Sequence, residues 1–170
     1  MSEVEIEVSI NKLTATELVE VEVKIEFKFQ IIIFAFMDQT FGKKYKLCRQ
    51  KLIDSVFKQG ASVKQYPFVL HFLEVEETLE APFQITISAP KRLFRKAHDR
   101  NRIKRLMRET VRRNKLILET HVETHKNLAL FMVYTNKEEM PYDLLLRKTE
   151  QLFIQLIKKL EENDTSKIEL

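Results

Sequence analysis

Residues 90–115 read PKRLFRKAHDRNRIKRLMRETVRRNK. Twelve of these are Lys or Arg: Lys91, Arg92, Arg95, Lys96, Arg100, Arg102, Lys104, Arg105, Arg108, Arg112, Arg113 and Lys115. Only Asp99 and Glu109 oppose them, so this stretch carries +10 while the whole 170-residue chain carries +4. A folded domain rarely concentrates like charge this heavily unless a polyanion neutralises it. From residue 99 onward, a helical step of about 100° per residue separates two faces. Ile103, Leu106, Met107, Val111 and Ile117 gather on one side with Thr110 and Asn114 between them, and Arg100, Arg102, Lys104, Arg105, Arg108, Arg112, Arg113 and Lys115 fill the remaining arc. One face is thereby free to bury while the other meets phosphates. Asp99 is expected at the N-cap, where a short carboxylate accepts from free backbone N–H groups.

A solvated basic helix without a partner is the plain alternative. Membrane-surface and calmodulin-target helices share the charge pattern, but they usually carry Trp, Phe or Leu on the apolar face. Here that face is built from Ile, Met and Val. The order of residues carries more information. Arg100-Asn101-Arg102-Ile103-Lys104-Arg105-Leu106-Met107-Arg108-Glu109, spaced RNR-x-KR-x-x-RE, follows a strand and opens a helix. It resembles the signature helix of the bacterial ribonuclease P protein subunit. Pro90-Lys91-Arg92 and Ala97 resemble the basic crossover that precedes the signature in that family, and a looser likeness runs over residues 41–160.

The length suits one domain with a buried core, and 44% hydrophobic with 32% charged residues describes a globular protein with a charged surface. Cys48 is the only cysteine, which rules out an intrachain disulfide and a cysteine-based zinc site. Its place in an expected helix favours a buried thiol. Residues 1–36 differ from the rest, with seven Glu against three Lys and near alternation from Leu18 to Phe29, the pattern of a strand. The apolar run at residues 31–36 is too short to span a bilayer, and the acidic start is unlike a signal peptide. The likeness does not reach this segment. Residues 1–36 are therefore read as an N-terminal extension translated from upstream of a natural start at Met37, with an acidic accessory hairpin that competes with RNA as the alternative.

Residues 43–59 are expected to form a helix closed by Gly60. Strands are expected at 68–75, 83–88 and 128–134, with one further short strand near 61–64. A final amphipathic helix is expected over 142–160, facing inward with Leu145, Thr149, Leu152, Phe153, Leu156, Ile157 and Leu160. Residues 37–160 form the expected domain and 161–170 a polar, frayed tail. The order α-β-β-α-β-α makes an α+β two-layer sandwich. The resemblance implies the ribosomal protein S5 domain 2-like fold with a left-handed β-α-β crossover, which pattern alone does not give, because the general rule is right-handed.

No P-loop, G-x-S-x-G or H-E-x-x-H motif occurs. His121 and His125 stand at i and i+4 without a third ligand and are expected to be surface residues. Glu74, Glu76, Glu77 and Glu80 are expected to be a solvated acidic turn. The resemblance supplies a role that needs no protein nucleophile. It implies the protein subunit of an endoribonuclease whose RNA carries the catalytic site and most of the bound Mg²⁺, and which removes the 5′ leader of precursor tRNA.

Carried over by position, Arg100, Asn101, Arg102, Lys104, Arg105 and Arg108 would contact the catalytic RNA, with Lys91, Arg92 and Lys96 extending that surface. Phe57, Lys64 and His71 would line the leader groove, with no catalytic or metal-ligating side chain. Ile53 stands where many relatives have Phe and His71 where many have Tyr, while Phe68 is expected in the core. The expected partners are ribonuclease P RNA and precursor tRNA, in the cytoplasm, with no membrane and no stable protein partner. A ribosomal-type module on structured RNA and a membrane-surface protein are the competing readings.

Overall fold

The computed structural model describes residues 40–122 and 127–168, with residues 163–168 described by backbone alone. A 3₁₀ turn at Lys43–Tyr45 leads into helix α1 (Gln50–Gln59) and strands β1 (Ala61–Gln65), β2 (Phe68–Val75) and β3 (Phe83–Ser88). Helix α2 (Ala97–Val122), strand β4 (Asn127–Tyr134) and helix α3 (Tyr142–Ile168) follow. The strands form one sheet in the order β1-β2-β4-β3. β2 pairs antiparallel with both β1 and β4, and β3 pairs parallel with β4, so α2 is the crossover between two parallel strands.

Period-2 alternation assigns the two sheet faces. Phe68, Leu70 and Phe72 on β2, with Leu128, Leu130, Met132 and Tyr134 on β4, are buried in the core shared with α2 and α3. Each such side chain contributes about 1.5–3 kcal/mol on burial. The alternate residues Leu73, Val75, Ala129 and Phe131 pack with Leu47 and Val56, so α1 covers one end of the opposite face. Thr149 Oγ1 of α3 donates to Thr110 Oγ1 of α2 at 3.0 Å where these two helices meet, and both residues are fully buried.

The strands lie where the pattern puts them, including the short β1. Several local expectations are corrected. Residues 46–49 are extended, not helical, because Lys46 bridges to Ile85 and Leu47 N–H donates to the Ile85 carbonyl at 3.2 Å. Leu47 is buried, so its neighbour Cys48 points outward and is exposed, not buried. Helix α2 starts at Ala97, which puts Asp99 in its first turn instead of at the cap. Lys115, expected on the exposed basic arc, is buried and donates from Nζ to the Thr40 carbonyl at 3.2 Å and to Tyr45 Oη at 3.3 Å, 3.6 Å from Glu119.

The helical backbone of α3 continues to Ile168, beyond the expected end at 160, since no Gly or Pro follows Pro141. Gly60 does close α1, but its φ of −75° is open to any residue. Its reason is space: a Cβ there would lie 2.3 Å from the Val56 carbonyl oxygen and 2.6 Å from that of Phe72. The expectations for residues 1–36, for a start at Met37 and for His125 lie outside the described residues.

Candidate nucleic-acid interface

The crossover is pinned from inside and charged outside. The Pro90 carbonyl accepts from the N–H groups of Leu93 at 3.1 Å and Phe94 at 3.2 Å. Phe94 is buried against Tyr134, with ring centroids 5.8 Å apart. That anchor leaves Lys91, Arg92, Arg95 and Lys96 exposed around it. Arg100 Nη1 donates to the carbonyls of Phe94 at 3.0 Å and Arg95 at 2.7 Å, fastening the crossover to the first turn of α2. Arg100 therefore has a structural duty that its position in the sequence does not announce.

Asn101, Arg102 and Arg105 come together with His98 around a shallow cleft of about 430 Å³ on the outer side of α2. Arg102 Nε sits between the two carboxylate oxygens of Glu139, at 2.9 and 2.7 Å. Lys104 is half-buried, while Arg105 and Arg108 are exposed. Farther along, Glu109 accepts from Arg112 at 2.6 and 2.7 Å and from Arg113 at 3.2 Å. Those bonds, Arg112's foremost, hold the Glu109 carboxyl below its ordinary range. One acid thus serves two arginines, and, Arg102 apart, the charge that no described carboxylate offsets concentrates at residues 91–108, across the basic crossover and the signature helix.

Phe57, Lys64 and His71 also come together. Phe57 at the end of α1 is 51% exposed. Its ring centroid lies 5.1 Å from that of His71 and 4.6 Å from that of Phe131. Strand register sets the floor: Ser62, His71, Phe131 and Thr86 form one row across all four strands, and Lys64, Val69, Val133 and Ser88 the next. The first row lies against α1, and the second is half-buried except for exposed Lys64. Burial, then the Lys64 charge, pushes the His71 imidazole below its ordinary value of 6.5. The neutral ring offers one donor and one acceptor beside an exposed aromatic face. Phe131 and Thr86 were missed by sequence reasoning that treated 128–134 only as a buried strand. The signal was present, because alternation puts Phe131 opposite Leu130 and Met132.

The two surfaces meet at the outer edge of β3. A cleft of about 300 Å³ there has Lys46 and Arg108 on its rim, over Leu47, Ile85, Thr86 and Ile87. Arg108 belongs to the basic face of α2, and Thr86 to the row of Phe131 and His71. Lys46 reads in the sequence only as part of the basic start of a helix over 43–59, so its place at the β3 edge was not visible there. The arrangement combines phosphate-neutralising cations with a stacking platform, as single-stranded nucleic acid requires.

Among the described residues, no group of three or more His, Cys, Asp or Glu side chains gathers as a metal site. Glu77 of the acidic turn pairs with Arg49 at 2.7 Å, and His121 Nδ1 lies 3.0 Å from the Ile117 carbonyl. No described helix is long and apolar enough to cross a membrane.

Comparison with known proteins accords with this geometry. A family model described as ribonuclease P matches residues 41–157. The ribonuclease P protein component of Porphyromonas gingivalis is 32% identical over 104 residues, covering 60% of this chain and 76% of the relative. That of an Exiguobacterium species is 39% identical over 70 residues, covering 41% of this chain and 58% of the relative. A solved structure of the Staphylococcus aureus RNase P protein superposes with a TM-score of 0.52 at 21% identity, covering 66% of this chain and 94% of the other. The superposition identifies the fold as the α+β, S5 domain 2-like arrangement.

Proposed function

We propose how two surfaces of this chain work from one premise: it belongs to the ribonuclease P protein family. It is the protein subunit of ribonuclease P, the ribonucleoprotein endoribonuclease that processes the 5′ end of precursor tRNA, and it associates with ribonuclease P RNA. In the proposed division of labour, Lys91, Arg92, Lys96, Asn101, Arg102, Lys104, Arg105 and Arg108 bind the catalytic RNA, and Arg100 keeps their scaffold in place while adding its charge. Phe57, Lys64 and His71, with Phe131 behind them, take the 5′ leader of precursor tRNA. Residues 37–160 are the proposed working domain.

The observation that carries this reading is the junction at the β3 edge. Arg108 and Lys46 connect the helix that faces one RNA to the platform that faces the other, so a single strand leaving the platform stays among cations. Charge-assisted bonds from arginine to phosphate are strong and geometrically selective. Stacking on Phe57 accepts any base, as a leader of varied sequence needs. Neutral His71 adds one donor and one acceptor at a base edge. In this reading Mg²⁺ is held mainly by the RNA subunit, where the phosphodiester is hydrolysed, and the protein raises its occupancy by neutralising nearby phosphates.

Photocrosslinking tests the division. With 4-thiouridine in the leader, adducts should map to peptides containing Phe57, His71 or Phe131. With the same base in the RNA subunit, they should map to residues 91–108. Leader adducts confined to 91–108 would overturn the assignment.

A further inference from the structure

Among the described residues, Arg102 is the exposed arginine of the basic face that a carboxylate from another element already holds. Glu139 lies in the turn between β4 and α3, and that turn is fixed. Tyr134 Oη donates to the Glu138 carbonyl at 2.7 Å, Asn136 Nδ2 donates to the same oxygen at 3.1 Å, and Lys137 N–H donates to Asn136 Oδ1 at 2.8 Å. The carboxylate is thus presented from a braced loop, with Arg102 Nε 2.9 and 2.7 Å from its oxygens. The side chains remain 71% and 36% exposed. The Glu139 hydrogen bond, ahead of its charge, holds the guanidinium above its ordinary value. An open cleft of about 450 Å³ between the crossover and this turn has Lys96, Asp99, Lys137 and Glu139 along its sides. Glu139 opens to solvent through this cleft and Arg102 through the neighbouring one with His98, Asn101 and Arg105, so a phosphate has access to the pair.

Resting on the reading above that Arg102 meets RNA, we propose that Glu139 is an internal stand-in for an RNA phosphate. It holds Arg102 extended in the free protein and yields it when RNA binds. A carboxylate and a phosphate offer the same paired oxygen acceptors to guanidinium, so the arginine is pre-set in a phosphate-binding geometry. An exposed ion pair is weak enough to be exchanged. The cost of exchange falls on every polyanion alike. It is recovered only by RNA that also engages Arg105 and Arg108, which no described carboxylate holds. Glu139 is accordingly a positioning residue that sharpens selection.

The test is a double-mutant cycle on the full chain, with the ribonuclease P RNA of its own organism as ligand at fixed salt. E139Q should tighten binding by about two- to fivefold, the range of one exposed pair. E138Q, which removes the same charge one residue away, should give a smaller gain. In an R102Q background the E139Q gain should vanish. All four are surface changes, and thermal melting checks that each variant folds. An E139Q gain no greater than that of E138Q, or one that persists in R102Q, would overturn the inference. R102Q alone reports on the underlying site: wild-type binding there would remove the RNA-contact reading and this inference together. A loss in R102Q without an E139Q gain would remove this inference only.

Discussion

Phe57 of α1 and Phe131 of β4 meet edge to face, with ring centroids 4.6 Å apart and ring planes at 62°. Such a pair adds about 0.5–1.5 kcal/mol beyond burial and fixes both rings. Phe57 nevertheless keeps 51% of its surface open to solvent. A ring braced from behind and free in front is a pre-ordered platform, so little freedom is lost when a base stacks on it.

Phe57→Ala should therefore weaken binding of leader-bearing precursor tRNA by about 1–3 kcal/mol, the usual worth of one stacked base. Mature tRNA without a leader should bind as before. Paired titrations of the holoenzyme with the two RNAs check this, and equal loss for both would place Phe57 outside the leader groove.

Arg105 and Arg108 are exposed, and no described carboxylate occupies them. Replacing either with Ala should lower the slope of log affinity for ribonuclease P RNA against log salt by about one. Arg113→Ala should change the slope less, since Glu109 already engages that side chain at 3.2 Å. Similar slopes in all three variants would argue against a contact face confined to residues 91–108.

His71 gives the groove a pH dependence. Folded His71 holds its proton less firmly than the unfolded chain does, because of burial and then Lys64. Stability is therefore complete above the unfolded value near 6.5 and falls as the pH drops from there toward the lower folded value, then levels off. Over the same descent a cation appears beside Phe57, so leader-dependent affinity should rise. His71→Gln should flatten both curves. Urea unfolding and precursor-tRNA titration between pH 5 and about pH 8, the range in which histidine ordinarily changes charge, are the measurements. A wild-type protein with flat curves would contradict the assignment.

Lys115 and Glu119 form a buried pair at 3.6 Å on α2, with Tyr45 Oη donating to Glu119 and Phe41 stacked on Tyr45 at 5.4 Å. This network ties residues 40–45 to the helix whose outer face binds RNA. Lys115→Ala should cost about 3–5 kcal/mol, because it strands a buried carboxylate. The double variant Lys115→Met with Glu119→Leu should recover part of that loss in urea unfolding. A single variant as stable as wild type would show that the pair carries little.

The sheet was legible because each strand is a largely apolar run bounded by Pro, Gly or a charged turn, residues 83–88 alternate cleanly, and the fully buried face leaves one workable register. The signature helix was legible for the same reason at period 3.6. What escaped was set by partners distant in sequence. Residues 46–49 have no helix-breaking residue, yet they extend because the β3 edge offers Ile85 as a hydrogen-bond partner. Lys115 reads as one more surface cation, and only Tyr45 and the Thr40 carbonyl, brought alongside, make it a core residue.

The site followed the same division. Residue type and spacing located the cations and Phe57, since phosphate and base contacts require those side chains. They did not reveal that Arg102 is held by Glu139 or that Arg100 donates to the crossover carbonyls, because both depend on how the β4–α3 turn and the crossover pack beside α2. Phe131 lay between the two cases: its alternation was readable, and its neighbour Phe57 was not.

The most direct test of the whole account is reconstitution. The purified chain is mixed with the ribonuclease P RNA of its own organism, and removal of the 5′ leader from a precursor tRNA is followed at low Mg²⁺. Strong stimulation over the RNA alone is expected, fading as Mg²⁺ is raised and the RNA's own phosphates are screened. Tight, salt-dependent binding without any stimulation of leader removal would contradict it.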